Sequence, residues 1–355
     1  LAQRFRSQLF GVEPLQGQVV LSSFRPYQSS FETEDIERVL KTDDPWFRPV
    51  DIKAGPDGDI YMADLYEQRI DHSSHYAGRI DKTSGRIYKL TKPEGSNGAL
   101  QTAAAAFAKA DGAKLVDLLE HPSKWYRQTA VRLLGDRHDA SLAPLIRERL
   151  GKASGQTALE LLWGLHACRG LDDAAAISLL GHEEPFVRAW TVRIVCDAAT
   201  VSPEIARAIA AAAEKEPYIE VRKQMASSAK RLPPDLAIPV IRALLRFDED
   251  AADIHQPLLI WWALEAQMGR TNVDQIVAQL LNDPAVWQRP LMKQTMIERL
   301  MKRYALAGTR SDLLAAAALI KSAPDKDAVE RLLKGFEEAF QGRSLAGIPE
   351  ELASA

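Results

Sequence analysis

Residues 216–222 read Glu-Pro-Tyr-Ile-Glu-Val-Arg, and stretches of the same pattern return three more times along the chain. Residues 121–127, 184–188 and 283–289 each carry an acidic or polar residue, a proline, an aromatic or aliphatic residue and then an arginine. With two weaker copies included, the intervals between anchor positions are 31, 30, 34, 35 and 32 residues. The six anchors are Arg127, Ala158, Arg188, Arg222, Pro257 and Arg289. This nearly constant period predicts an array of short structural repeats.

The residues that follow each anchor show the period of an α-helix. Positions four and seven after the anchors are mostly apolar, and a second amphipathic segment precedes most anchors. Positions three after the anchors are apolar with one polar exception, and they are Ala130, Leu161, Thr191, Met225, Ile260 and Met292. Each repeat is therefore predicted to be two antiparallel helices that bury their faces on neighbouring repeats. We predict a mainly α fold over residues 96–345, with about six repeats in a right-handed α-α superhelix of the HEAT or armadillo-like solenoid type, and a tail at residues 346–355.

Two residue types on the second helices each leave two interpretations open. The arginines can pair with acidic groups of a neighbouring repeat, or they can line a concave anion-binding groove whose field the interleaved acids would weaken. The tryptophans can pack in the core or form a peptide-binding groove. The arginines are Arg127, Arg188, Arg222 and Arg289. The tryptophans are Trp125, Trp163, Trp190, Trp261 and Trp262.

Short β-type runs replace the helical repeats in residues 1–95. Residues 48–54 and 59–64 flank the stretch Gly55-Pro56-Asp57-Gly58. Proline fixes φ, aspartate bonds nearby backbone and glycine accepts positive φ, so this stretch predicts a tight antiparallel hairpin. A third strand is predicted at residues 85–90, and the Pro, Gly and Ser residues of 92–98 are typical of a linker.

Composition excludes several classes of protein. Lys and Arg number 45 and Asp and Glu number 48, and the resulting net charge of −3 argues against a nucleic-acid or anionic-membrane partner. No apolar run approaches the ~20 residues of a membrane-spanning helix. Two cysteines, Cys168 and Cys196, exclude a four-cysteine metal site and are expected to be small buried residues. The first residues show no signal-peptide pattern, and Leu1 is interpreted as the cut end of a longer chain.

The hairpin geometry predicts that several side chains suited to ligand binding lie close together. In an antiparallel pair, the loop entering the first strand and the loop leaving the second lie at the same end. Aromatic rings, arginines, a carboxylate and histidines meet there, which fits either a binding site or a structural rim beside the helical domain. The candidate binding residues are Trp46, Arg48, Asp64, Tyr66, Arg69, His72 and His75. The two histidines are expected in a loop without further metal ligands, so no metal-binding or catalytic residue is assigned.

Residues 46–50 (Trp-Phe-Arg-Pro-Val), 55–66 and 85–88 (Gly-Arg-Ile-Tyr) resemble the last blade of a β-propeller in the predicted membrane-bound dehydrogenases of planctomycetes and verrucomicrobia. Residues 125–134 and 258–264 are similar to the helical part of the same family. Its members combine a glucose/sorbosone-dehydrogenase-like propeller, HEAT repeats and a c-type cytochrome. The resemblance implies that residues 1–95 are a partial β-propeller of antiparallel strands, that the chain begins within the propeller, and that it ends before a haem-binding motif.

The resemblance also implies a function. The chain would be a non-catalytic scaffold and docking region of an exported or periplasmic, haem-linked, quinoprotein-like sugar or alcohol dehydrogenase. Pyrroloquinoline quinone and c-type haem would belong to the parent protein and not to this chain. Its partners would be proteins: the rest of the propeller, the cytochrome domain or another subunit. Two alternatives stay open, a free-standing HEAT-repeat protein-interaction module and a HEAT-like enzyme acting on nucleic acid, which would need a basic groove.

Overall fold

The computed structural model describes residues 8–69, 71–78, 81, 83–91 and 99–355. The fold is mainly helical, with a small region of antiparallel sheet near the N-terminus. The chain divides into two compact units, one with residues up to Tyr27 and Phe31–Gly170, the other with Gln28–Ser30 and Leu171–Ala355. The predicted linker at 92–98 lies outside the described residues, and the predicted domain boundary at residue 95 stays a prediction.

Six strands of the first unit form two three-stranded antiparallel sheets. In each sheet the strands lie in sequence order. Val19, Phe47 and Met62 form a small buried core. The first sheet contains β1 (Leu9–Glu13), β2 (Gln18–Tyr27) and β3 (Ser30–Lys41). The second contains β4 (Pro49–Ala54), β5 (Ile60–Asp64) and β6 (Arg86–Leu90). The predicted hairpin and third strand are both confirmed.

The turn between β4 and β5 is held by the residues that predicted it. Gly58 has a φ of +79°, a conformation that glycine adopts without steric cost. The Asp57 carboxylate accepts a hydrogen bond from the Tyr61 hydroxyl at 2.9 Å and lies 2.7 Å from the Lys89 ammonium on β6. Burial opposes ionisation of Asp57, but these hydrogen bonds prevail and lower its pKa. The same contact with Asp57 raises the pKa of Lys89, so the turn is tied electrostatically to the third strand.

From residue 99 onward, the first unit consists of helices that pack in successive pairs. α3 packs on α4, and both α4 and α5 pack on α6, as expected of successive antiparallel pairs. The helices are α1 (His72–Tyr76), α2 (Ala99–Ala108), α3 (Gly112–Leu118), α4 (Lys124–Arg137), α5 (Ala143–Leu150) and α6 (Gly155–Ala167). The predicted helix pairs of the first two repeats are therefore present.

The second unit continues this alternation. Its helices are α7 (Asp173–Leu179), α8 (Pro185–Val195), α9 (Pro203–Ala213), α10 (Ile219–Ala229), α11 (Pro234–Leu244), α12 (Gln256–Met268), α13 (Val273–Ile276), α14 (Pro284–Trp287), α15 (Ile297–Ala307), α16 (Arg310–Ser322), α17 (Lys326–Phe340) and α18 (Glu350–Ala353). α8, α10 and α12 pack side by side, as do α7, α9 and α11. Gly335 lets α17 approach α15, because a Cβ there would overlap the carbonyl group of Glu298. None of the helices that the structure describes has both the length and the apolar character needed to cross a bilayer.

Burial confirms the predicted register of the second helices. All six residues three positions after the anchors are buried, including the polar Thr191, whose hydroxyl donates to the carbonyl oxygen of Val187 at 2.8 Å. The five tryptophans of the second helices differ in burial, and Trp125, Trp163 and Trp190 are half-buried. Of the five named, Trp261 is buried and Trp262 is 44% exposed, whereas the fully packed ring is Trp287, whose indole N–H donates to Leu281. Apolar identity alone did not distinguish the buried face of α12 from its exposed face, since Trp261 and Trp262 are adjacent.

The arginines of the repeats form ion pairs between neighbouring repeats, which is the first of the two interpretations given above, and we call this series of pairs the arginine ladder. Each binds an acidic side chain of a neighbouring repeat, and the pairs are Arg127–Glu160, Arg188–Glu216, Arg222–Asp250 and Arg289–Asp248. In the first three, a second guanidinium nitrogen donates at 2.8–3.0 Å to the carbonyl oxygen six residues earlier, in the loop before the same helix. One side chain thus fixes the start of its own helix and joins it to the next repeat.

Candidate functional site

The loops at one end of the β4–β5 hairpin are joined through Asp64. This buried carboxylate accepts hydrogen bonds through Oδ1 from the backbone N–H of Arg48 at 2.7 Å and of Tyr66 at 2.8 Å. The backbone N–H of Leu65 also donates to the carbonyl oxygen of Arg48 at 2.9 Å. The predicted convergence of the two loops is therefore present, and Asp64 is its centre.

Two rings and a guanidinium surround that centre. The rings of Trp46 and Tyr66 lie 5.6 Å apart, and the guanidinium carbon of Arg86 lies 3.2 Å from the centroid of the Tyr66 ring. Tyr66 has a φ of 54°, the left-handed conformation that is uncommon outside glycine. We call Trp46, Arg48, Asp64 and Tyr66 the Asp64 cluster. Within it, Asp64 Oδ1 and the backbone N–H groups of Arg48 and Tyr66 hold the two loops together.

The predicted arginines of this region bind protein groups. The guanidinium of Arg48 donates to the carbonyl oxygens of Phe47 at 3.0 Å and Gln68 at 2.8 Å. Arg69 forms an ion pair with Asp71. Both side chains therefore stabilise loop structure, and a ligand would have to compete with these contacts.

The two histidines lie in a short helix, which corrects the prediction of a loop. Asp71 caps α1 by accepting a hydrogen bond from the backbone N–H of Ser74, and the neighbouring Ser73 hydroxyl is the main cause that lowers the pKa of Asp71 to about 2. His72 and His75 are both exposed. Among the described residues, no hydrogen bond or ring contact joins either histidine to the Asp64 cluster, and no three candidate ligands are close enough to hold a metal ion.

Sequence reasoning missed Glu67, which follows Tyr66 directly. Its side chain is buried, and its Oε1 atom has no hydrogen-bond partner among the residues that the structure describes. An acid in a polar loop is expected to be exposed, so its residue type gave no signal of burial. The role of Arg86 over Tyr66 was also missed, because it depends on how β6 pairs with β5.

The cysteines are buried, as predicted. Cys168 and Cys196 are both free thiols with no exposed surface. Burial raises the pKa of Cys168, and it raises that of Cys196 to about 11. A thiol with a raised pKa is a poor nucleophile at neutral pH, so these residues act as small core side chains.

The first unit also contains an open groove of about 640 Å³, which is its second candidate binding site. It lies where β4 and β5 face α4, and its walls include Ile52, Ile60 and the ring of Trp125. The sequence did not predict this groove. Trp125 was assigned to a second helix by its position in the repeat, and no local sequence pattern indicates that β4 and β5 face α4.

The comparisons with known proteins concern the strand region. Residues 1–94 match the family described as a domain of unknown function (DUF7133). A comparison with curated proteins found no match. The matched segment includes the Asp64 cluster, and it ends before α4 and the helix side of the groove. The match relates this quarter of the chain to a family without assigning it an activity.

Proposed function

We propose that the chain is a non-catalytic scaffold and docking region of an exported, haem-linked sugar or alcohol dehydrogenase. In this proposal the strands belong to a β-propeller, and the helices form a HEAT-type α-α superhelix. The partners are proteins, namely the remainder of the propeller, a cytochrome domain or another subunit. The motifs at residues 46–50, 55–66 and 85–88 support the family assignment, and the helix alternation supports the superhelix.

The arginine ladder carries the proposal. A ligand-binding repeat array would leave its repeated arginines free on one surface, whereas Arg127, Arg188 and Arg222 each bind a carboxylate of the next repeat and a carbonyl of their own loop. The repeated arginines therefore join helices of neighbouring repeats to each other. Such an array is suited to hold other parts of a protein at fixed positions.

The Asp64 cluster does not fit the quinone that the family resemblance implies. Pyrroloquinoline quinone carries several carboxylates, which would need free cationic side chains. The described arginines of the region already have partners: Arg48 binds carbonyl groups, Arg69 binds Asp71, and Arg86 lies over Tyr66. We therefore assign no quinone chemistry to this chain. The two cysteines also lie 28 positions apart (196 − 168), so they offer no Cys-x-x-Cys-His attachment for haem.

The first test is enzymatic. The purified chain is mixed with pyrroloquinoline quinone, calcium, a reducible dye and a panel of aldoses and primary alcohols. We expect dye reduction equal to that of a protein-free blank, and an absorption spectrum without a Soret band. Turnover above the blank that depends on the chain would contradict a non-catalytic role.

The second test is genetic and separates the scaffold from a free-standing interaction module. The gene is sequenced on both sides of the coding region for this chain. We expect further Pro-Asp-Gly hairpins upstream and a Cys-x-x-Cys-His motif downstream in the same reading frame. An in-frame start and stop immediately flanking the chain would contradict the dehydrogenase context and favour the interaction module.

A further inference from the structure

The groove of the first unit has an apolar floor. Ile52 on β4, Ile60 at the start of β5 and Phe10 on β1 contribute aliphatic and aromatic surface from the sheets. Trp125 contributes the opposite wall from α4. A volume of about 640 Å³ is within the range of binding clefts in proteins, and it is enough for one or two large apolar side chains.

Trp125 is fixed in position by neighbouring rings. Its ring centroid lies 5.6 Å from that of Phe107 and 5.3 Å from that of Tyr126, both in edge-to-face geometry. His121 in turn stacks on Tyr126 at 4.1 Å. A half-buried tryptophan that is already immobilised loses little conformational entropy when it binds a partner, and such residues are typical anchors of protein interfaces.

Among the residues that the structure describes, the charged ones that line the groove are all positive, in a chain whose net charge is −3. They are Lys53, Lys124 and Arg132. Lys53 pairs with Asp51 on its own strand and Arg132 with Asp136 on its own helix, and in both pairs more than half of each side chain is exposed. Exposed pairs of this kind contribute little free energy, so a carboxylate from outside can replace either acid at low cost. No carboxylate partner of Lys124 is found among the described residues.

We infer that this groove docks an acidic segment of a partner protein, with an aromatic or aliphatic side chain of that segment placed against Trp125. The inference rests on the proposed function, because it names the chemistry of the partner that a docking region would hold. Cations around an apolar floor match carboxylates that flank an apolar side chain. The groove is open to solvent along one side, which suits an extended peptide better than a small molecule that must be enclosed.

The test uses the full chain and a defined probe. The probe is the peptide acetyl-Glu-Glu-Phe-Glu-Leu-Glu-Glu with a C-terminal fluorescein, and binding is followed by fluorescence anisotropy in 50 mM salt. We expect saturable binding with a Kd on the order of 10–100 μM. A matched peptide with glutamine in place of every glutamate is expected to bind at least about tenfold more weakly, and 500 mM salt should weaken the acidic probe similarly.

Charge reversal locates the site. The double variant Lys124→Glu, Arg132→Glu is expected to weaken probe binding about tenfold or more. The matched control is Arg207→Glu, Lys326→Glu, which reverses two exposed, locally paired cations of the second unit and should change the Kd less than about twofold. Trp125→Leu should also weaken binding, whereas Trp262→Leu, which removes an exposed ring of the second unit, should not. Circular dichroism of each variant excludes unfolding.

The outcomes separate this inference from the proposed function. Equal binding of the acidic and glutamine peptides, or unchanged binding by the Lys124 and Arg132 double variant, would overturn the docking site and leave the scaffold proposal intact. Turnover of sugars by the chain alone would overturn the scaffold proposal and leave the peptide result standing. Binding of a small aromatic carboxylate such as naphthoate at the groove, with no binding of the peptide, would also overturn the inference.

Discussion

The arginines of the repeat ladder and the cations of the groove carry the same charge but differ in burial and in partners. Arg222 is almost fully buried and binds Asp250 through two nitrogens, at 2.5 and 2.8 Å. Arg132 and Lys53 are mostly exposed, and the ion pairs that they form within the described part of the chain are with acids on their own helix or strand. The first kind joins neighbouring repeats, and the second kind is exposed, as the proposed docking of an acidic segment requires. The position of a cation relative to neighbouring elements therefore determines whether it is buried in an ion pair or exposed.

The largest expected effect is the loss of a buried ladder arginine. Arg222→Ala would leave the Asp250 carboxylate enclosed without its guanidinium, and burial already raises the pKa of Asp250 despite the Arg222 hydrogen bonds. We expect a loss of about 3–5 kcal/mol in the free energy of unfolding, measured by urea titration. Arg289→Ala is the matched control, because Arg289 is part-exposed and makes a 3.4 Å contact with Asp248. The control should cost less than about 1 kcal/mol, and equal losses in the two variants would refute the distinction.

A core truncation comes next and tests the apolar register beside the ladder. Leu134 lies on α4 at a fully buried position of the helical face. Leu134→Ala should cost about 2–5 kcal/mol, as expected for a cavity in a packed core. Leu306→Ala on α15, where the side chain is 44% exposed, should cost much less. Comparable thermal shifts for both variants would mean that α4 does not bury the predicted face.

Asp253 differs from the acids of the arginine ladder, because neutral hydrogen-bond donors hold this buried carboxylate in place of an arginine. Burial opposes its ionisation, but hydrogen bonds from Ser29 and from the backbone N–H of Gln256 and His255 outweigh burial and lower its pKa. The carboxylate therefore stabilises the fold above the unfolded-state pKa of about 3.9, and this contribution is lost as the pH falls through the lower folded-state value.

Asp253→Asn should accordingly cost about 1–3 kcal/mol at pH 7, and the difference from the unsubstituted protein should shrink towards pH 3. Denaturant titrations at the two pH values measure it. Asp197→Asn, at an exposed acid paired with Arg231, is the control and should change stability by less than about 0.5 kcal/mol. A cost for Asp253→Asn that grows as the pH falls would contradict the hydrogen-bond account.

The smallest effect is expected at the groove. Lys124→Ala and Arg132→Ala should each change the free energy of unfolding by less than about 0.5 kcal/mol, since their side chains are exposed and contribute little to packing. The measurement is thermal denaturation of both variants. A loss of 2 kcal/mol or more, on the order of a buried contact, would show that these cations belong to the fold and are not available to a partner.

Patterns that repeat or that are local were predictable from the sequence. The intervals between anchors predicted the helix pairs, because each repeat supplies an independent copy of the same signal. The pairing of the repeated arginines with acids of neighbouring repeats was one of the two arrangements that the sequence left open. The stretch Gly55-Pro56-Asp57-Gly58 predicted its hairpin because the turn is determined by those residues themselves. Hairpin geometry then placed Trp46, Arg48, Asp64 and Tyr66 at one end.

Features that depend on non-local packing were not predictable in the same way. The burial of Glu67 and the position of Arg86 over Tyr66 follow from strand pairing and loop closure. Trp261 and Trp262 are adjacent and identical in type, yet they differ in exposure because helical geometry turns one of them outward. The groove joins strand residues up to Ile60 to α4 residues from Lys124 onward, which lie 64 positions later (124 − 60), and no short-range pattern connects them.

A double-mutant cycle on Arg188 and Glu216 measures whether the arginine ladder stabilises the contact between repeats. The two side chains form a bidentate pair, with distances of 2.6 and 2.8 Å, and both are largely buried. Stability is measured for the unsubstituted chain, Arg188→Met, Glu216→Gln and the double variant. The account predicts a coupling free energy of about 1–3 kcal/mol. Single losses that simply add, with coupling below about 0.3 kcal/mol, would contradict a ladder that joins one repeat to the next.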